Sequence, residues 1–488
     1  MEHLLFLTGR LAEPGLRRVL EGMHTQQPSA GSPFTWEVRE IGLQVAALMT
    51  GDMVRRRLAA PVAADRIILP GRCRGDVDAL SQHYGIPVQR GPEELKDLPA
   101  HFKRQAQPIS LAEHATLIFA EIVDAPRLTV EAILARAASL RAEGADVIDL
   151  GGLPETPFAH LEDSVRALKA AGHTVSVDSV QTEELLRGGR AGADYLLSLT
   201  LDTAWIADEV AATPVLIPRS PQDEASLWQL VEQMQARGKP FLADAILDPI
   251  PFGLLASLGR YQRLRQRFPD APIMFGVGNL TELTEADTSG INAILFGMAA
   301  ELGVAAVLTT QVSPHARRAV READWARRIM HAAHRHQVLP KGLSGALMTT
   351  HERRPFPDTP EEIAATAASV RDPNFRVQVS AEGIHVYNRD GLRLARDPFA
   401  LWPQLGLEND AAHAFYMGVE TARAEIALQL GKRYVQDQPL DWGCAVDRPS
   451  NDLAAWCAPG RTLNAPSPAA ASSRDPNMPT LTAPSDDA

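Results

Sequence analysis

Cysteine is scarce: Cys73, Cys444 and Cys457 are the 3 in 488 residues. They are too few and too scattered for a disulfide framework or a cysteine-rich metal site. Long apolar runs are missing too. No stretch of 18 apolar residues occurs, so no membrane-spanning helix is expected. The opening residues, MEHLLFLTGRLAEPG, have neither a basic n-region nor a small-residue cleavage site, so no signal peptide is expected and the cytoplasm is the expected location. Cationic excess is absent. Lys and Arg number 48 against 60 Asp and Glu, a net charge of −12, which argues against nucleic-acid or anionic-membrane partners.

What remains is an ordinary globular composition, 45% hydrophobic and 22% charged, in a chain several times one domain's length. Residues 1–110 alternate short apolar runs with helical stretches, which predicts a small α/β domain with a mostly parallel sheet. No G-x-G-x-x-G or G-x-x-x-x-G-K-[ST] occurs in it, so it is not read as nucleotide-binding. Residues 339–458 predict an α+β domain: alternating runs at 375–379 and 384–387 form a hairpin, and 410–430 a long helix stopped by Gly431. Residues 459–488 are rich in Pro, Ala, Ser and Asp with almost nothing large and apolar, the composition of a disordered tail.

The strongest signal lies in 111–338. Eight short Val/Ile/Leu-rich runs, from Thr116–Val123 to Val304–Leu308, are each followed by an amphipathic stretch of helix length. That is the cadence of a (β/α)8 barrel, and the continuous apolar strands suit a parallel sheet covered on both faces. Catalysis in such barrels sits where the strands end. Glu121 and Asp124 follow the first run, Asp149 ends the second and Asp178 the third. Asp248 closes the sixth, Asn279 the seventh and Thr309 the eighth, while Arg219 follows the fifth and His315 lies beyond the eighth. Carboxylates and an amide at one mouth suit a polar heterocycle with several N–H donors, such as a pterin; a hard cation such as Mg²⁺ is the rival occupant.

The strings themselves go further. Ala142-Glu143-Gly144-Ala145-Asp146-Val147-Ile148-Asp149-Leu150-Gly151-Gly152 resembles the way dihydropteroate synthases enter their second strand end. Val175-Ser176-Val177-Asp178-Ser179 looks like that family's third-strand motif, Ala191-Gly192-Ala193-Asp194-Tyr195-Leu196 its approach to the fourth, and Asp248-Pro249 its sixth-strand Asp-Pro. The likeness spans about residues 115–335. It implies that Asp178 and Asp248 bind pterin, with Asp149 at the same mouth.

Departures are as informative. Glu121-Ile122-Val123-Asp124-Ala125 replaces the family's Asn-Val-Thr-Pro-Asp-Ser-Phe. Leu153-Pro154-Glu155-Thr156-Pro157 has lost the arginine of Glu-Ser-Thr-Arg-Pro, Gly278-Asn279-Leu280 replaces Ser-Arg-Lys, and Leu308-Thr309-Thr310 replaces Arg-x-His. Pterin carboxylates are kept while cationic groups are lost. Together with the extra domains, this resembles the dihydropteroate synthase-related proteins of the tetrahydromethanopterin pathway. The resemblance implies joining a dihydropterin-6-ylmethyl diphosphate to an arylamine bearing a ribofuranosyl group, with diphosphate released and Mg²⁺ required; related barrels also imply a homodimer. Asp149, Glu121 and Asp124 are then the candidate catalytic residues. Asp178, Asp248, Asn279, Arg219, Thr309 and His315 are the candidate substrate-binding ones, with Arg219, His315 and Arg317 on the anion side; no metal ligand is assigned. Gly276-Val277-Gly278-Asn279 also looks like pterin-dependent corrinoid methyltransferases, the second reading, and a non-catalytic pterin-binding protein is the third.

Plainer roles compete elsewhere. His331, His334 and His336 sit among arginines near a helix end, which suits the helix dipole better than zinc. Cys73, between Arg72 and Arg74, reads as inert rather than reactive.

Overall fold

The computed structural model describes residues 2–25, 34–93, 95–103 and 109–447. The tail at 459–488, with Trp456 and Cys457 before it, lies outside the described residues. The chain divides into two compact units. One comprises 1–108 with 352–440, the other 109–351 with 441–447.

In the first unit, β1 (Glu2–Thr8), β2 (Phe34–Glu40), β3 (Arg66–Leu69) and β4 (Val88–Arg90) form a parallel sheet in the order β2-β1-β3-β4. The central strands β1 and β3 are buried on both faces, as their apolar runs require, while the outer strands β2 and β4 each expose a residue, Thr35 and Gln89. Leu5 and Leu7 of β1 pack into one core, and Leu4 and Phe6 into another on the opposite face. The apolar run Val45–Met49 is not a strand; it holds a single 3-10 turn, Ala46–Leu48.

The barrel strands follow in the second unit: β5 (Leu117–Ile122), β6 (Val147–Gly151), β7 (Thr174–Asp178), β8 (Tyr195–Leu199), β9 (Thr213–Leu216), β10 (Leu242–Ala243), β11 (Met274–Gly276) and β12 (Ala306–Thr309). All pair in parallel. β12 joins β5, and a bridge from Ala243 to Ile273 links β10 to β11, so the expected eight-stranded barrel closes on itself. A lumen core of Phe119, Val147, Leu197, Val215, Leu242, Met274 and Ala306 fills its interior. Residues of opposite parity (Ile118, Ile148, Val175, Leu196 and Val307 among them) pack outward against the helix layer. This parity decides which side chains reach the mouth.

The remaining strands belong to the first unit: β13 (Arg376–Val379), β14 (Ile384–Asn388) and β15 (Gly391–Ala395), an antiparallel meander in which β13 and β14 form the expected hairpin. The helix Ala411–Leu430 has Asp410 as N-cap, accepting from the His413 N–H, and Gly431 at φ 60° as its stop. Its buried stripe runs through Met417, Glu420, Thr421, Ala424 and Leu428. Among the described residues no helix is long and apolar enough to cross a membrane.

Candidate active site at the barrel mouth

Strand register sets a row of polar side chains across three neighbouring strands. Glu121 on β5 pairs with Asp149 on β6, and Asp149 with Ser176 on β7. All three share the parity of the lumen residues Phe119 and Val147 and therefore face inward. One step higher, Asp178 pairs with Gly151 and points the same way. Gly151 suits this position, since a Cβ there would press on the Glu121 carboxylate. The absent side chain leaves room for the carboxylate.

One ligand atom each from Glu121, Asp149 and Asp178 lies within 4.8 Å of the others. Ionising two carboxylates about 5 Å apart costs roughly 3 kcal/mol at an effective dielectric of about 20. The site answers by holding protons. Asp149, fully buried, has its carboxyl pushed well up by burial and then by Asp178 and Glu121, against the Ser176 hydroxyl that donates to its Oδ1 at 2.5 Å. Burial, with Glu121 and Asp244, raises Asp178 to about 7. Glu121 is raised by burial and by Glu282. Asp149 Oδ2 has no hydrogen-bond partner, an orphaned acceptor at the bottom of the mouth.

Asp244 is the residue that sequence reasoning missed. The run Phe241–Leu247 reads as one strand ending at Asp248, but β10 has only two residues. Leu242 faces the lumen and Ala243 the helices, so Asp244 turns inward. Burial raises it to about 6, against the Tyr261 hydroxyl that donates to its Oδ1 and the Ile246 N–H at 2.7 Å. Asp248 lies beyond it with its charge already matched. Arg260, almost fully buried, donates to Asp248 Oδ2 at 2.8 Å and to the carbonyls of Ala245 and Ile246.

The other expected residues are distributed differently. Asn279 donates from Nδ2 to the Leu247 carbonyl at 2.7 Å, tying the β11 loop to the β10 loop. Thr309 is fully buried, but its register partner Ala120 packs outward, which places it on the helix side of β12. Thr310, next in the chain, donates to Glu282 Oε1 at 3.1 Å instead. Asp124 sits in the β5 loop at φ 59°, half-exposed and 3.7 Å from Arg127. On the anion side, Arg219 closes a two-bond fork on Asp202, each at 2.8 Å. His315 has its Nε2 3.1 Å from the Thr281 carbonyl, and Arg317 donates to the Pro314 carbonyl.

Loop anchors hold the rim. Glu184, buried, accepts from the Ser179 hydroxyl at 2.6 Å and the Phe158 N–H at 2.9 Å, joining the β6 and β7 loops. Glu282 accepts from the Val312 and Ser313 N–H groups; burial works against its charge, but these bonds hold it below the usual carboxylate range. The loops after β7, β8, β10, β11 and β12 each expose a large apolar side chain: Val180, Trp205, Phe252, Leu283 and Val312. The mouth is thus acidic within and apolar around its rim. Away from it, burial pushes the Cys73 thiol up to about 11, the opposite of activation.

Residues 2–93 match a family of unknown function, DUF6513. Over 90% of its length the chain is 28% identical to an uncharacterized protein, MJ0107, of Methanocaldococcus jannaschii, of which 98% is covered. Solved structures similar to it include the dihydropteroate synthases of Yersinia pestis (16% identity, 46% of this chain and 95% of that one, TM-score 0.36) and Xanthomonas albilineans (19%, 46% and 94%, 0.36). The Thermus thermophilus synthase, solved with 6HMPPP, is 21% identical over 46% of this chain and 95% of its own, at a TM-score of 0.35. Dihydropteroate synthases are therefore structural neighbours over about half of the chain.

Proposed function

We propose that the barrel binds a pterin at its mouth and acts as a dihydropteroate synthase-like transferase. Its reaction would join a dihydropterin-6-ylmethyl diphosphate to an arylamine, a ribofuranosylaminobenzene derivative, in tetrahydromethanopterin biosynthesis. The observation that carries the reading is the inward row of Glu121, Asp149 and Asp178 with the orphaned Asp149 Oδ2. A pterin edge offers several N–H donors within a few ångströms, and buried acceptors without partners are costly until such donors arrive. The strings around Asp149 and Asp178 support the same family. Asp244 is the carboxylate we assign to the sixth strand's share of that contact, with Asp248 engaged by Arg260.

In the reaction the amine nitrogen attacks the pterin's exocyclic methylene. A C–N bond forms, the C–O bond to diphosphate breaks with its electron pair leaving on oxygen, and the amine gives up one proton. Asp178, poised near neutral pH, suits the receipt of that proton, while the apolar rim offers the aryl ring a surface. The oxygen-only donor set of Glu121, Asp149 and Asp178 also fits a hard cation, which would compete with the pterin for the same carboxylates. Diphosphate release measured with the dihydropterin diphosphate, Mg²⁺ and either 4-aminobenzoate or its ribofuranosyl derivative tests the proposal. Release that needs the arylamine supports it, and silence with both amines rejects it.

The fork between Arg219 and Asp202 favours a second reading. With that arginine engaged, the mouth suits methyl transfer from a reduced methylpterin to a corrinoid, which needs no diphosphate clamp. Methyl transfer to free cobalamin distinguishes it.

A further inference from the structure

The first unit holds a cavity that the barrel chemistry does not use. Along the sheet order β2-β1-β3-β4, the chain leaves β1 toward one edge and returns to β3 on the other side. The loops following β1 and β3 therefore diverge, and such a reversal opens a crevice outside the carboxyl ends of the strands where α/β sheets take their ligands. A cavity of ≈ 380 Å³ occupies that position here, within the range of small-molecule sites. Leu7 and Thr8 at the end of β1 and Leu69 at the end of β3 line it, with Val370, the extended residue that follows the helix Pro360–Ser369.

Two glycines allow close backbone packing beside it. A Cβ on Gly9, after β1, would meet the Ala46 backbone nitrogen at 2.7 Å; one on Gly71, after β3, would meet the Pro92 carbonyl group at 2.5 Å. Backbone thus packs against backbone on both flanks of the reversal. The polar side chains along the wall are committed elsewhere. Arg376 is bound to Asp372 at 2.7 Å, the Tyr387 hydroxyl donates to Gln378, and the Thr366 hydroxyl to the Glu362 carbonyl. At the edge Arg72 and Glu93 form a loose, charge-balanced pair 3.9 Å apart.

We propose that this cavity is a second ligand site, for an uncharged, ring-sized apolar molecule with a single hydrogen-bonding end directed at the Arg72–Glu93 edge. The charge balance is what excludes a nucleotide or other polyanion: among the described residues the two lining arginines, Arg72 and Arg376, are each matched by a carboxylate, Glu93 and Asp372, and burying a net charge among these aliphatic side chains is unfavourable. The full-length protein, titrated with the neutral fluorophore N-phenyl-1-naphthylamine and separately with the anionic 8-anilinonaphthalene-1-sulfonate, tests it. The neutral probe should saturate at one per chain and bind more tightly than the anionic one. Ala12→Phe and Ala47→Phe each place a ring at a lining position, and each should weaken the neutral probe at least tenfold with an unchanged circular dichroism spectrum; if one fails to fold, the other decides. Phe415→Ala, removing an exposed ring on the helix Ala411–Leu430, should leave binding unchanged. Tighter binding of the anionic probe, or undiminished binding in a folded cavity-filled variant, overturns the proposal.

Discussion

Glu121 and Asp149 are direct register partners on adjacent parallel strands, both turned into the barrel, and Asp149 keeps one oxygen without a hydrogen bond. Parallel pairing forces two like-charged groups together where the fold gains nothing from it. Such an arrangement is a cost that a bound donor offsets.

Asp149→Asn tests this cost. The amide mimics the protonated acid and removes one potential charge from the cluster, so the variant should unfold at the same denaturant concentration as the parent or a higher one. Dihydropterin affinity should fall at least tenfold, because the amide, unlike the acid, cannot give up a proton to become the acceptor that the pterin N–H groups need. A large loss of stability would show that the ionised carboxylate has a structural partner.

The pH dependence of stability follows from Asp178. Its folded-state value of about 7 lies above its ordinary 3.8, so between these the folded protein binds more protons than the unfolded chain. The contribution is complete below about pH 4 and lost as pH rises through 7, with a slope of up to about 1.4 kcal/mol per pH unit. Denaturation midpoints from pH 4.5 to 7.5 should decline less steeply in Asp178→Asn than in the parent. Equal slopes would contradict the buried, crowded acid described here.

Asp244 and Asp248 should separate cleanly. Asp248→Ala leaves the buried Arg260 guanidinium short of its counterion, and roughly 2–4 kcal/mol of unfolding free energy should be lost. Asp244→Asn keeps the Tyr261 contact in part and should fold well, yet bind dihydropterin poorly. The reverse pattern would restore Asp248 to the pterin contact that the Asp-Pro motif implies.

Gly151→Ala probes shape alone. Its methyl would occupy the space of Glu121 Oε1, so Glu121 must swing away. Pterin affinity should drop several-fold without any change of charge, while Gly290→Ala, on the exposed face of the helix Thr288–Leu302 and with nothing within 4 Å of its Cβ, should be silent.

Much of this was legible in the sequence, for physical reasons. Strands buried on both faces read as unbroken apolar runs, so eight could be counted, and Asp149 and Asp178 stood at their ends. Parity was not legible, because a strand apolar on both faces does not announce which residues face the lumen; hence Thr309 was expected at the mouth and lies against the helices. Asp244 was hidden inside an apolar run that continues past a two-residue strand. Arg219 looked like an anion ligand because its partner, Asp202, lies 17 residues away on another loop, a pairing that no periodicity reports. In the helix Ala411–Leu430 hydrophobicity likewise does not set burial: Ile426 is exposed, while Glu420 is buried, accepting from the Tyr434 hydroxyl at 2.5 Å.

Calorimetric titration of the full-length protein with 6-hydroxymethyl-7,8-dihydropterin, beside the Asp149→Asn/Asp178→Asn double variant, meets the central claim most directly. One site per chain in the parent, lost in a double variant that still unfolds cooperatively, is the outcome expected of a pterin-binding mouth. No heat with the parent, or equal binding by the variant, would contradict it.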